Sequence, residues 1–324
     1  MAEVLAEDRL PGPAFDALRD VEIAGGPLAE IVGAPRPDVR AAIVVGGTVS
    51  AALLDRLPAL EVVARFGVGY DTVDVAACTR RGIQVAITPG PVEAATAELA
   101  VALILAVRRR LLAADAAVRR GAWSPPPAEL PGEEGLDERT LGLVGFGRIG
   151  RRVAQATAAL GARIQYTARH RVPPEVEALT GARYASLDEL LRTSDVVSLH
   201  CPLTDQTRGL IGARELGLLR DRTALINTAR GPLVDEPALI AAVSSGRIAV
   251  GLDVYADEPH VPRELRAGRH AVLSPHAGSA TRAARTRMTE LCVENVLTVL
   301  AGGRAVHLVP EQQDCALWSG ARRG

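Results

Sequence analysis

LGLVGFGRIGRRVAQATAALGARIQY, running from Leu141 to Tyr166, decides how this chain folds. The apolar run Leu141–Val144 reads as a buried strand. It passes into Gly145-x-Gly147-x-x-Gly150, a helical pattern follows over Arg148–Leu160, and a second apolar strand, Arg163–Tyr166, completes a βαβ unit. In that context each glycine has its own role. Gly145 permits a tight turn, Gly147 lets the backbone approach a pyrophosphate, and Gly150 lets the helix pack close to the strand. The free N–H groups at the helix start, together with its dipole, suit an anion. A GxGxxG alone is a weak signal, but between a strand and a helix, with a second strand at βαβ spacing, it reads as a dinucleotide site. An NAD site normally places Asp or Glu at the end of the second strand, about 20 residues on, to hold the ribose hydroxyls. Here Tyr166-Thr167-Ala168-Arg169-His170-Arg171 contains no acid. Arg169 can pair with a 2′-phosphate where a carboxylate would repel it, so NADP(H) is expected to be preferred, with NAD(H) possible.

On either side, short apolar runs alternate with helical patterns. AAIVVGG, EVVARFG, GIQVAIT, TLGLVGFG, ARIQYTA, DVVSLHC, TALINTA, AVGLDVY and AVLSPHA read as strands ending in turns, with helices such as Glu93–Arg109, Leu187–Arg192 and Glu236–Ser244 between them. Alternation of this kind predicts parallel sheets covered on both faces. The strands are too many for one modest sheet, so two α/β domains are expected, which suits 324 residues. Gly121–Asp137 is rich in Pro and Gly and reads as a loop bearing an exposed Trp123; Val309–Gly324 lacks periodicity and reads as loosely held.

Composition removes several chemistries. All 37 basic residues are arginine, so no Schiff-base, P-loop or proton-relay lysine exists. The four cysteines, Cys78, Cys201, Cys292 and Cys315, form no CxxC or CxxH pair, so no metal site is expected and a reducing compartment fits. A net charge of −1 with interspersed signs leaves no stripe for nucleic acid. MAEVLAEDRL has acids where a signal peptide is basic, and the longest apolar stretch, Leu99–Val107, falls short of the roughly 20 residues that span a bilayer. A cytoplasmic protein without membrane contact is expected.

Three later segments place ionisable residues at strand ends: INTARG with Arg230, GLDVYADEP with Asp253 and Glu258, and LSPHAGSAT with His276. A doubly wound sheet gathers such ends around its ligand crevice. Hydride transfer to a 2-oxo acid needs a cation to hold the carboxylate and polarise the carbonyl, an acid to protonate the forming alkoxide, and a partner for that acid. Arg230, His276 and Glu258 answer these needs in turn. Singly each has a bland reading, as a cap, a core histidine or a loop charge. Their recurrence at successive strand ends favours the catalytic one.

With FGVGYDTVD, TPGPVEAATAELAVALILAVRRR, LGLVGFGRIG, LHCPLTDQTRGLI, ALINTARGPLVDEPAL, GLDVYADEP and SPHAGSAT in this order, the chain resembles the D-isomer-specific 2-hydroxyacid dehydrogenases from about Ala41 to Leu300. YTAR and HAGSAT look like the glyoxylate/hydroxypyruvate reductases within that family. The resemblance implies a flavodoxin-like substrate domain over residues 1–98, a Rossmann dinucleotide-binding domain over 99–285, a return to the substrate domain over 286–324, and an active site in the cleft. It implies substrate binding by the backbone N–H groups of Val68 and Gly69, and nicotinamide contacts from Asp253 and the Thr228–Ala229 backbone. The matching stretches extend the cofactor set to Phe146, Arg148, Ile149, Thr167, His200, Cys201, Pro202, Thr207 and Gly278. A homodimer is also implied; the Pro-rich loop with Trp123, too long and apolar to lie idle in water, is expected to lie across its twofold axis and help line the partner's cleft.

Two alternatives stay open. Arg65 in VVARFGVGYD resembles 3-phosphoglycerate dehydrogenases, whose substrate carries a second anion, although their large C-terminal regulatory domain is lacking. From another class, some relatives are NAD(H)-sensing corepressors, and turnover of hydroxypyruvate would separate enzyme from sensor. Phosphite-oxidising relatives carry a lysine where this chain has Val68, which argues against phosphite.

Overall fold

A computed structural model describes residues 3–123, 135–315 and 317. Most of the Pro-rich segment, 124–134, lies outside them, and with it the expectation that this loop crosses a twofold axis. The end of the tail, 318–324, lies outside them too.

Twelve strands occur among the described residues: β1 (Val4–Ala6), β2 (Val21–Ile23), β3 (Ala41–Val44), β4 (Val62–Arg65), β5 (Gln84–Ala86), β6 (Thr140–Val144), β7 (Arg163–Thr167), β8 (Arg183–Tyr184), β9 (Val196–Leu199), β10 (Ala224–Asn227), β11 (Ala249–Leu252) and β12 (Ala271–Leu273). The first five form a parallel sheet in the flavodoxin-like order β2-β1-β3-β4-β5. The other seven form a parallel sheet in the order β12-β11-β10-β9-β6-β7-β8, which reverses direction beside β6 as a doubly wound dinucleotide fold does.

Residue alternation explains why both sheets are buried on two faces. In the first, Val4, Ala6, Ile43, Val62 and Ala64 pack under the long helix Arg282–Leu300 with Met288 and Val296, while Leu5, Val44, Val63 and Val85 face Leu28, Leu53, Leu57 and Cys78. In the second, Leu141, Leu143, Ile164 and Ile226 meet Ala100, Leu103 and Ile104, and Val144, Val197, Leu225 and Val250 meet Leu190, Leu216 and Leu239. Each fully buried aliphatic side chain is worth ~1.5–3 kcal/mol, far more than the spread of strand propensities, so the apolar runs carry the assignment.

The chain divides into two compact units, Met1–Val92 with Ser279–Gly324, and Glu93–Gly278, rather than at 98/99 and 285/286. The earlier first boundary follows from the helix Pro91–Arg108, which joins the second core already at Ala97 and Ala100. The second boundary follows from Asp253, whose carboxylate binds the N–H groups of Ala277 and Gly278 and holds the chain in its unit up to that point.

Three strands escape the sequence reading. β1, β2 and β8 are three, three and two residues long, and the last two lie largely exposed at sheet edges, so neither shows an apolar run. The start of the tail is corrected as well: Val309 and Gln312 are fully buried. Gln312 Oε1 accepts from Val85 N–H at 2.7 Å, and its Nε2 donates to Thr79 Oγ1 at 2.9 Å and Ile83 O at 3.0 Å. Polar contacts, which leave no periodicity, pin this segment. Among the described residues no helix is long and apolar enough to cross a membrane.

Candidate active site

The glycine turn after β6 has the geometry its spacing requires. Gly145 sits at φ +97°, and a Cβ there would lie 2.5 Å from the N of Cys201. A Cβ on Gly150 would lie 2.5 Å from Gly145 O, so the helix Arg148–Ala158 approaches too closely for any side chain. Gly147 meets nothing within 4 Å and leaves its side open, as close approach of a ligand demands. Phe146 turns inward and stacks on Tyr166 with ring centroids 4.2 Å apart, so only its main chain can serve a cofactor. Ile149 is half-buried against the same core, and exposed Arg148 pairs with Glu93 at 3.3 Å.

At the end of β7, Thr167 is half-buried, and the two arginines beyond it differ. Arg171 donates from Nε and Nη2 to the two carboxylate oxygens of Glu177, each at 2.8 Å, and Tyr166 Oη donates to Glu177 at 2.6 Å. Hydrogen bonds from Arg171 first and Tyr166 second hold the Glu177 carboxyl down to about 2. Arg169 is exposed and makes no hydrogen bond or ion pair to the described residues.

After β9, burial pushes the His200 imidazole down to about 4 and the Cys201 thiol up to about 11, so both are neutral near pH 7. Thr207 Oγ1 donates to Pro202 O at 2.7 Å and closes that loop.

Asn227, Leu252 and Leu273 lie in register across β10, β11 and β12, which brings the three expected strand ends together. At the end of β10, Asn227 is buried; its Nδ2 donates to Arg230 O at 2.8 Å and its Oδ1 accepts from Ala229 N–H at 3.0 Å, shaping the turn that presents Arg230. The hydroxyl of Thr228 is buried and lacks a partner among the described residues. Past β11, Asp253 is 1% exposed and takes hydrogen bonds from Ser274 Oγ at 2.5 Å and from the N–H groups of Ala277 and Gly278 at 2.7 and 2.9 Å. His276 N–H donates to Asp253 O at 2.8 Å, which holds His276 at φ +52°. Its Nδ1 lies 2.6 Å from Glu258 Oε2, and Glu258 Oε1 accepts from Tyr255 N–H at 3.1 Å. Burial works against the Glu258 carboxylate, but the His276 hydrogen bond and charge, the Tyr255 N–H and the nearby Arg230 outweigh it and lower its pKa.

Two residues here were not singled out in the sequence. Asn227 stands inside INTARG next to the residues it shapes. Gly231 is required because any Cβ would collide with the Tyr255 carbonyl. The signal for both is the motif itself; their reasons are contacts across strands.

In the other unit, Val68 and Gly69 are half-buried in the loop after β4. Arg65 does not point away from that loop. Its Nε donates to Gly69 O at 3.0 Å, and its Nη1 donates to the carbonyls of Val44 at 3.3 Å, Phe66 at 3.1 Å and Val45.

Residues 101–278 match the family model described as D-isomer specific 2-hydroxyacid dehydrogenase, NAD binding domain. The chain is 45% identical over 263 residues to the glyoxylate reductase of Thermococcus litoralis, covering 79% of each. A glyoxylate reductase structure from Paecilomyes thermophila superposes with a TM-score of 0.86 at 33% identity, covering 96% of this chain and 99% of that one. The NADPH-dependent glyoxylate/hydroxypyruvate reductase of Sinorhizobium meliloti, solved in complex with citrate, gives 0.83 at 32% identity, covering 96% and 98%.

Proposed function

The chain belongs to the D-isomer specific 2-hydroxyacid dehydrogenase family and is a nicotinamide-dependent oxidoreductase, and on that premise we propose that it reduces a small 2-oxo acid of the glyoxylate or hydroxypyruvate type to the D-2-hydroxy acid, with NADPH preferred to NADH. The observation that carries this reading is the 2.6 Å contact between His276 Nδ1 and Glu258 Oε2, set beside Arg230 at neighbouring strand ends.

The protein fits its coenzyme on its own terms. The open side of Gly147 and the helix start behind it suit the pyrophosphate. The unpartnered buried hydroxyl of Thr228 suits a polar group, since leaving it unpaired costs about 1–3 kcal/mol. The main chain of Phe146, Arg148, Ile149 and Ala229, together with Thr167, His200, Cys201, Pro202, Thr207, Asp253 and Gly278, would complete the binding set, and Arg169 would pair with a 2′-phosphate. When bound, the nicotinamide supplies the hydride.

The remaining steps belong to side chains. The N–H groups of Val68 and Gly69 hold the substrate carboxylate. Arg230 pairs with the substrate and draws charge toward the carbonyl oxygen. Glu258 accepts from Nδ1 of His276, which fixes the ring and leaves Nε2 to give its proton to the forming alkoxide. Asp253 sets the loop that carries His276. The commitment of Arg65 to four carbonyls disfavours the reading in which it binds a second anion on the substrate.

A homodimer belongs to the same proposal. The helix Leu111–Arg119 has no buried residue, and Leu111, Leu112 and Val118 are 59%, 54% and 58% exposed, an apolar face that association would cover.

The test is a panel of 2-oxo acids with wild type, His276→Ala and Arg230→Ala. Removing His276 should lower kcat roughly 10²–10⁴-fold with the KM for NADPH little changed. Removing Arg230 should damage both kcat and the KM for the acid. Near-normal turnover of His276→Ala at pH 7 would overturn the acid–base assignment.

A further inference from the structure

We propose that Glu7 and Arg65 are positioning residues that clamp the chain crossing Val44–Gly47 from opposite sides and thereby hold the loop Phe66–Tyr70 in its substrate-binding shape. The inference rests on the reading that Val68 and Gly69 hold the substrate carboxylate.

Glu7 ends the first strand passage of its unit and is 5% exposed. Its Oε2 accepts from three successive N–H groups, Val45 at 2.7 Å, Gly46 at 3.0 Å and Gly47 at 3.1 Å, and its Oε1 accepts from Leu28 N–H at 3.2 Å. Successive N–H groups turned to one point make a nest that ordinarily takes an anion. Here the nest is filled by the chain's own carboxylate, and Gly47 is required because a Cβ there would strike that carboxylate. A buried carboxylate is tolerated only with its lone pairs satisfied, and four main-chain donors do so.

Arg65 grips the same crossing by the opposite groups. Glu7 takes N–H groups of Val45–Gly47; Arg65 gives hydrogen bonds to the carbonyls of Val44 and Val45. The same guanidinium reaches Phe66 O and Gly69 O, so it ties the crossing to both ends of the turn that bears Val68. Gly67 O accepts from Thr88 N–H at 2.9 Å, and Tyr70 Oη donates to Glu311 at 3.2 Å, which anchors the loop on its far side. Without the clamp, the N–H groups of Val68 and Gly69 keep their identity but lose their fixed direction. Binding of the acid then suffers while the coenzyme site does not.

The experiment measures steady-state kinetics with glyoxylate and NADPH, and thermal midpoints, for Glu7→Gln, Arg65→Met, Arg65→Lys, the double variant Glu7→Gln/Arg65→Met, and Val68→Pro. Loss of one charge-assisted hydrogen-bond set should raise the KM for glyoxylate about tenfold in Glu7→Gln and Arg65→Met. The KM for NADPH should stay within about twofold in both. Arg65→Lys, which keeps the charge but cannot bridge the carbonyls, should fall between Arg65→Met and wild type. The double variant should be little worse than Arg65→Met alone, because both residues act through one crossing. Glyoxylate KM values left unchanged in the folded single variants, or raised in step with the KM for NADPH, overturn the proposal. Val68→Pro deletes one carboxylate donor directly. If it leaves the KM for glyoxylate unchanged, the substrate-loop reading fails; if it raises that KM while Glu7→Gln and Arg65→Met do not, only the positioning role fails.

Discussion

Replacing Arg169 with alanine should reduce the preference for NADPH about fivefold to tenfold, and the size follows from which cations the fold leaves free. Two arginines follow β7, and if both met the 2′-phosphate the preference would reach tens-fold. The structure removes one of them. Arg171 is engaged in a two-pronged pair with Glu177, whose carboxyl is held down to about 2, so the pair persists across the working pH range. Arg169 alone remains, exposed and without a hydrogen bond to the described residues. An exposed ion pair is worth less than about 1 kcal/mol, and a doubly charged phosphate with charge-assisted hydrogen bonds raises that to roughly 1–1.5 kcal/mol. At about 1.4 kcal/mol per factor of ten, this gives the stated range. The assay is the ratio of kcat/KM for NADPH and NADH at fixed saturating glyoxylate. Arg169→Ala should act through the KM for NADPH and leave that for NADH nearly unchanged, and added salt should shrink the wild-type ratio. The double variant Arg171→Ala/Glu177→Gln should keep the ratio within about twofold. A wild-type ratio favouring NADH, a ratio untouched by Arg169→Ala, or one abolished by the Arg171 variant would refute the argument.

Two further outcomes are expected. Burial places the His200 imidazole at about 4 in the native protein, against about 6.5 unfolded, so the unfolded chain binds a proton that the native one refuses. Its contribution to stability is complete above pH 6.5, declines by up to about 1.4 kcal/mol per pH unit as pH falls, and levels off below pH 4. Denaturant titrations at pH 7.5 and pH 5 should therefore show a smaller acid loss in His200→Gln than in wild type, and parallel losses would count against it. Leu112→Glu, on a helix with no fully buried side chain among the described residues, should shift sedimentation at micromolar concentration from dimer toward monomer without lowering the thermal midpoint of the separated chain. A wild-type protein already monomeric at that concentration would rule the dimer out.

What the amino-acid order determined by itself was whatever depends on near neighbours. The turn Gly145-x-Gly147-x-x-Gly150 between a strand and a helix announced its own geometry, because the φ of +97° at Gly145 and the approach of Gly150 to Gly145 O are set within a few residues, and only the contact of Gly145 with Cys201 is not. Nine of the strands were legible because strands of a doubly covered sheet are continuous apolar runs. Arg230, Glu258 and His276 could be proposed together because parallel strands send their C-terminal ends to one edge. What only the tertiary structure decided was which polar groups are already taken. Arg169 and Arg171 look alike in sequence, and Glu177 separates them. Arg65 looks like an anion ligand until the carbonyls of Val44, Val45, Phe66 and Gly69 are found around it. The tail lacks periodicity, yet Gln312 bonds to Val85 across 227 residues of chain. Gly47 and Gly231 look like ordinary turn residues, and their need comes from Glu7 and Tyr255. The physical reason is common to Arg65, Gln312 and the two glycines. Hydrophobic burial repeats along an element and so leaves a period in the sequence, whereas a hydrogen bond or a close backbone approach joins two points far apart in the chain and leaves no local trace.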